Sequence, residues 1–238
     1  MKFLFIIFLS TINMINLYSQ QEKQTPHNFQ KEITLTFSAN YLLYLPTDYK
    51  DADRDFPLVL FLHGSGERGT DIEKVKIHGL PKLINQGKDF PFIVVSPQCP
   101  DDIFWNVDIL NALLDEIVAK YRVDTNRIYV TGLSMGGHGT WELALRQPNR
   151  FAAIAPVCGW ADTSKACSIA HIPTWVFHGA KDAVVPVKAA EDMVDALKNC
   201  GSNVKLTIYP EANHDSWTET YNNEELYKWL LEQSLDKK

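Results

Sequence analysis

The sequence predicts an α/β fold: a doubly wound, mostly parallel sheet with helices on both faces. Three observations lead there. Continuous apolar runs recur along the chain, as strands buried on both faces must read. Stretches of helical periodicity alternate with them, the rhythm of right-handed βαβ crossovers. The 238 residues, 45% of them hydrophobic, can bury a large core in one domain.

The elements follow in order. "MKFLFIIFLSTINMINLYSQQ" places Lys2 ahead of an apolar run from Phe3 to Leu9. That is the shape of a secretory signal peptide, with Ser19 the small residue expected before the cut. A buried N-terminal helix is the other reading. Asn13 and Asn16 interrupt the run, so the roughly 20 apolar residues of a spanning helix are lacking. The expectation is a leader over 1–19, a polar spacer over 20–32 and a single domain over 33–238. The mature protein is then secreted or periplasmic, without a membrane anchor.

"EITLTF" and "YLLYLP" alternate and predict an opening hairpin. "PLVLFLHG" and "PFIVVSPQ" are apolar throughout, and "RIYVTG", "FAAIAPVCG", "PTWVFHGA" and "VKLTIYP" complete the strands. Residues 107–121 carry Ile109, Leu113, Leu114, Ile117 and Val118 as a helical stripe. Residues 187–201 repeat the pattern and end at Gly201, a fitting C′ residue. Residues 222–233 supply another helix. "WADTSKACSIAH", between two of the strands, is too short for a large lid.

A net charge of −6, with no basic run, argues against nucleic acid or an anionic membrane as partner. A monomer or a small homo-oligomer is compatible with the composition. In an oxidising compartment Cys99, Cys158, Cys167 and Cys200 allow three pairings. Cys158–Cys167, the closest pair along the chain, is the expected bridge; four reduced, buried thiols are the alternative. No C-x-x-C or paired Cys/His spacing predicts a metal site.

In such a sheet the functional loops lie beyond the carboxyl ends of the strands. There the sequence places "FLHGSGERG", "GLSMGG", "GAKD" and "EANHDSW". The second is G-x-S-x-G, with Ser134 between Gly132 and Gly136. A serine at the tip of a tight strand-to-helix turn presents its hydroxyl and leaves the Met135 N–H unpaired at a helix N-terminus. A side chain at either flanking glycine would collide with the neighbouring strand or helix. The bland alternative is a glycine-rich turn with a capping serine.

A serine hydroxyl needs a base, and the base an orienting acid. Of seven histidines only His214 follows every candidate acid and lies in a loop after the final strand. Asp182 stands at a strand end; Asp162 is the weaker candidate, and Asp192 and Asp195 fall inside a helix. His178 is read as pinning the turn that delivers Asp182. The glycine-rich loop offers the N–H of Ser65, or next Gly66, as a second oxyanion donor. His63 is assigned to hydrogen bonding within that loop. Arg68 is read as a salt bridge to a neighbouring acid in preference to a ligand of a substrate acid. Phe104, Trp105 and Trp217 lie in loops at the mouth, where they either stack on a substrate ring or pack the loops down.

These four loops, in this order, resemble the α/β-hydrolase superfamily from about Ile33 to the C-terminus. "LHGSGERG", "GLSMGGHGTW", "FHGAKDAVVP" and "HDSWTETYNN" resemble secreted bacterial carboxylesterases related to feruloyl and acetylxylan esterases and to polyhydroxybutyrate depolymerases. The resemblance extends to the prolyl-oligopeptidase and phospholipase/carboxylesterase groups. It implies a triad of Ser134, Asp182 and His214 and no cofactor. It further implies hydrolysis of carboxylic esters through an acyl-enzyme, on feruloyl or acetyl groups of plant-type polysaccharide or on small soluble esters. Dienelactone hydrolases differ in carrying cysteine at the nucleophile. The rival expectations are a serine peptidase of the prolyl-oligopeptidase type and a non-catalytic glycan-binding module.

Overall fold

The computed structural model describes residues 26–32 and 36–237. The expected leader and the start of the spacer lie outside the described residues. Its contacts divide the chain into Met1–Thr36 and Phe37–Lys238. In the first unit, residues 26–32 have no regular structure. The second holds the sheet and everything discussed below.

Seven strands form one sheet in the order β1-β3-β2-β4-β5-β6-β7. They are β1 (Tyr41–Tyr44), β2 (Phe56–Leu62), β3 (Ile93–Pro97), β4 (Val123–Leu133), β5 (Ala153–Val157), β6 (Trp175–Gly179) and β7 (Lys205–Tyr209). β1 is antiparallel to β3, and every other pairing is parallel. The expected opening hairpin does not form among the described residues. Tyr41 pairs with Pro97 instead, and residues 36–40 are irregular; Ile33–Leu35 lie outside the described residues. The alternating "YLLYLP" forms an edge strand whose neighbour among the described residues is β3.

Side chains along the central strands alternate between two cores, as the pleat requires. Leu58, Leu60 and Leu62 of β2, with Ile128 and Val130 of β4, face one core. That core is covered by α2 (Val107–Lys120), α3 (Met135–Arg146) and α4 (Lys188–Asn199). Val59, Phe61 and Tyr129 face the other, beneath α1 (Gly79–Asn85), α5 (Trp217–Asn222) and α6 (Glu224–Glu232). Helices on both faces of a mostly parallel sheet are the predicted architecture. Within α2 the buried line is Leu110, Leu114 and Ile117, one position round from the predicted stripe, with Leu113 and Val118 at its edge. Gly201 follows α4 with φ +83°, the left-handed conformation a C′ residue needs. Residues 158–174, between β5 and β6, hold only a short 3-10 helix, Thr163–Ile169, and no large lid.

The cysteines pair otherwise than their spacing suggests. Cys167, in that 3-10 helix, is bonded to Cys200 at the C-terminus of α4, with 5.2 Å between Cα atoms. Cys158 ends β5 inside the molecule and cannot reach Cys167 on the helical layer; Cys158 and Cys99 are free and buried. Closing a loop with a separation of 33 residues contributes about 3–4 kcal/mol in the chain-entropy picture.

Successive strands step one way from β2 to β3 and the other way from β4 to β7. The order therefore reverses between β2 and β4, where Leu62 pairs with Gly132. Beyond the carboxyl ends at such a reversal lies the crevice that doubly wound folds use for ligands.

Candidate active site

β4 delivers Ser134 into this crevice. The residue sits between strand and helix with φ 53° and ψ −115°, an unfavourable backbone costing about 1–3 kcal/mol. The flanking glycines make the turn possible. A Cβ on Gly132 would lie 2.6 Å from Leu62 O, and one on Gly136 would lie 2.5 Å from the Leu62 carbonyl carbon and closer still to its oxygen. A Cβ on Gly137 would meet Val157 O at 2.5 Å, so α3 packs its first turn directly on the sheet. Met135 opens α3, and its N–H has no helical partner.

β6 delivers Asp182. Its side chain is buried, with Oδ1 accepting the N–H groups of Val184 (2.8 Å) and Val185 (2.9 Å). Oδ2 faces His214 Nδ1 at 2.7 Å, and His214 Nε2 lies 2.9 Å from Ser134 Oγ. Burial alone would raise the Asp182 pKa, but the hydrogen bonds from His214, Val185 and Val184 outweigh it and hold the carboxyl below its ordinary value. The acid is thus ionised and oriented beside the imidazole. His178 is fully buried, donates from Nε2 to Val185 O at 2.8 Å, and approaches Asp182 Oδ2 at 3.2 Å. It holds the turn that carries Asp182. Asp162, the weaker candidate acid, is exposed and caps the 3-10 helix through Ser164 N–H.

β2 delivers the glycine-rich loop. His63 is buried; Nδ1–H donates to Gly64 O at 2.6 Å and Nε2 accepts the Cys99 N–H at 2.9 Å, which fixes a neutral tautomer. Burial pushes its pKa down to about 4, with the charge of Arg68 adding to the effect and the bond to Gly64 opposing it. The buried Glu67 carboxylate accepts the Gly64 N–H at 2.9 Å. Gln98 Nε2 donates to Glu67 O at 2.9 Å and to Asp71 O at 2.7 Å, tying the loop to the end of β3. Ser65 and Gly66 are exposed at the start of the 3-10 turn Ser65–Glu67. Among the described residues Arg68 makes no salt bridge, contrary to the expectation. Its guanidinium donates to Ser65 O (3.0 Å) and Ile103 O (3.3 Å), because Glu67, the adjacent acid, is turned inward.

The three aromatic residues take different places. Trp105 is half-buried, donates from Nε1 to His63 O at 3.2 Å and packs edge-on against the His63 ring, 4.7 Å between centroids. It packs the loop. Trp217 stands between His214 and His78, with ring centroids 5.3 Å from each. Phe104 is 57% exposed and meets His138 and Trp160 edge-on. His138 and Trp160 are stacked at 4.6 Å with their planes 4° apart.

His138, Trp160 and Glu67 were not among the residues singled out by sequence. His138 lies one helical turn beyond Ser134, on the same face of α3, a spacing that does carry the signal. Glu67 sits three residues after Gly64, as the acid of a capping box does. Trp160 had no local signal. Cys158 also lies at the site, and burial pushes its thiol up to about 12, which keeps it protonated at neutral pH.

Comparison with known proteins places this geometry in context. A family model described as phospholipase/carboxylesterase matches residues 81–228. A poly(3-hydroxyoctanoate) depolymerase of Pseudomonas fluorescens is 28% identical over 162 residues, covering 56% of this chain and 57% of that protein. A bifunctional acetylxylan esterase/xylanase of Neocallimastix patriciarum is 26% identical over 188 residues, covering 73% of this chain and 26% of that protein. Among solved structures, a thermostable esterase superposes with a TM-score of 0.72 at 37% identity, covering 82% of this chain and 59% of that one. The chain thus spans less than two thirds of each of these three proteins.

Proposed function

The chain belongs to the phospholipase/carboxylesterase family of α/β-hydrolases, and from that membership we propose that it is a serine hydrolase cleaving carboxylic esters through an acyl-enzyme. One observation carries the reading: a single imidazole, His214, lies 2.9 Å from a serine hydroxyl through one nitrogen and 2.7 Å from a buried carboxylate through the other. In this reading Ser134 Oγ attacks the ester carbonyl as His214 Nε2 takes its proton. Asp182 holds the tautomer and balances the imidazolium. The N–H groups of Met135 and of Ser65, or Gly66, receive the oxyanion. His214 returns the proton to the leaving alcohol, and then activates the water that releases the acid.

The substrate class we propose is acyl esters on a plant-type polysaccharide, feruloyl or acetyl, or small soluble esters. The names of the depolymerase and acetylxylan esterase relatives support an ester substrate, and the exposed Phe104 ring against His138 and Trp160, one helical turn beyond Ser134, offers an aromatic surface to it. Export is part of the same proposal, since the Cys167–Cys200 bridge fits an oxidising compartment.

The test is a panel of p-nitrophenyl acetate, methyl ferulate, acetylated xylan and a peptide anilide, run on the full chain and on Ser134→Ala. The expected result is ester turnover that falls at least about 10⁴-fold in the variant, with the anilide poorly cleaved. Preferred cleavage of the anilide indicates a peptidase. Binding to xylan with no turnover of any substrate indicates a non-catalytic module.

A further inference from the structure

Cys158 stands at the site without a part in that chemistry. Its residue is fully buried at the end of β5 with φ +41°, an unusual conformation for a non-glycine residue. Its sulfur, a carboxylate oxygen of Asp182 and a ring nitrogen of His214 all lie within 4.8 Å of one another. The Ser134 backbone and the Ser216 side chain adjoin the thiol. His178 Nδ1 is buried and lacks a hydrogen-bond partner among the described residues, and the residue is 0% exposed. Thiol, imidazole and carboxylate are the donor types that hold a soft divalent cation, and three protein ligands with a fourth position left over are a recognised coordination pattern.

We propose that Cys158, Asp182 and His214 form a binding site for a thiophilic divalent cation of the zinc and cadmium class, and that its occupation arrests the His214 base. Bonds of about 2.0–2.3 Å to sulfur, nitrogen and oxygen set tetrahedral ligand atoms roughly 3.5 Å apart. The cluster reaches this by drawing the sulfur inward and opening the 2.7 Å His214–Asp182 contact. The charges close as well: the cation's two positive charges meet one thiolate and one carboxylate, so the buried site is neutral overall. The thiol proton passes to solvent as the metal–sulfur bond forms, the His214 Nδ1 proton moves to Nε2 so that Nδ1 can ligate and Nε2 can no longer accept, and no oxidation is involved. The fourth ligand is a water. No residue spacing in the sequence foretells this site, because β5, β6 and the loop after β7 contribute one ligand each.

Cadmium is the probe, because its bond to thiolate gives an ultraviolet charge-transfer band whether or not the enzyme turns over. Titration of Cd²⁺ into the full chain is expected to raise this band to one equivalent. Cys99→Ser keeps the band and Cys158→Ser lacks it. His214→Asn, which retains the thiol, binds at least about tenfold more weakly; it serves as the deciding variant if Cys158→Ser does not fold. A band that survives in Cys158→Ser, a full-affinity band in His214→Asn, or no band in the unaltered protein overturns the proposal. The inhibition rests on the esterase reading above: hydrolysis falls at least about tenfold at saturating Cd²⁺ and returns on chelation. A stoichiometric band with hydrolysis unchanged overturns the arrest. If no ester is hydrolysed at all, the band still decides the metal site, so the two readings fail separately.

Discussion

The loops after β2 and β4 stand side by side at the sheet's reversal point, and both read as glycine-rich, yet different forces shape them. The β4 turn is shaped by exclusion. Gly132, Gly136 and Gly137 sit where any Cβ would enter backbone atoms of Leu62 or Val157. The β2 loop is shaped by polar bonds: Glu67 on the Gly64 N–H, His63 between Gly64 O and Cys99 N–H, and Gln98 on two carbonyls. At Gly66 an added Cβ meets nothing within 4 Å. A glycine in the motif is therefore no measure of how much the position needs to be glycine. The Ser134 turn is rigid by packing, and the neighbouring loop keeps its form only while its hydrogen bonds do.

The largest expected effect tests the first half of that contrast. Gly136→Ala pushes a methyl into the Leu62 carbonyl, and neither side is a flexible side chain that can yield. Destabilisation of about 3 kcal/mol or more is expected by urea unfolding, with loss of hydrolysis alongside. A drop under about 1 kcal/mol would mean that the turn is not packed this way.

Acid tests the second half. The folded-state pKa of His63 is depressed to about 4 from the ordinary 6.5. Below pH 6.5 the unfolded chain takes the proton and the native loop refuses it. Its stabilising contribution is therefore complete above about pH 6.5, shrinks as the pH falls, and is gone near pH 4. The loss amounts to about 3 kcal/mol. Unfolding measured across that window should show the slope, and His63→Asn, which cannot titrate, should flatten it. Equal slopes in both proteins would remove His63 from the account.

Next in size is Glu67→Ala. Without its carboxylate the Gly64 N–H is unpartnered and the N–H groups of Ser65 and Gly66 lose their aim. A kcat reduced roughly tenfold to a hundredfold at nearly constant KM is expected, less than outright loss of an oxyanion donor. Glu67→Gln, whose amide oxygen still accepts that N–H, recovers most of it; equal defects in both would point to charge instead. Smallest is Gly66→Ala, expected within about 0.5 kcal/mol of the parent.

What the sequence disclosed follows the same division. The strand-to-helix turn at Ser134 was legible because exclusion by backbone writes itself as glycine at fixed spacing. His214 was legible by chain order and Asp182 by its place at a strand end. Strands β2, β3 and β5 were legible because burial on both faces leaves a nearly unbroken apolar run, whereas β7, a partly exposed edge strand, carries Lys205 and Thr207 among its apolar residues. The polar framework was not: nothing in "HGSGERG" says that Glu67 turns inward while Arg68 seeks carbonyls. Proximity along the chain misled for Cys158 and Cys167, which β5 and the 3-10 helix assign to different layers. The rings of His138 and Trp160 meet only because Gly137 and Gly159 bring two elements together, a tertiary fact with no local trace. The first arm of the expected opening hairpin falls largely on residues 33–35, outside the described residues, and its second arm, β1, pairs with β3.

The most direct test of the central claim, that His214 activates Ser134, is covalent labelling by a fluorophosphonate with the adduct located by peptide mass spectrometry. The account predicts a single phosphonylated residue, Ser134, in the full chain, and labelling at least about 10³-fold slower in His214→Ala. An adduct on another residue, or undiminished labelling of Ser134 without the imidazole, would contradict it.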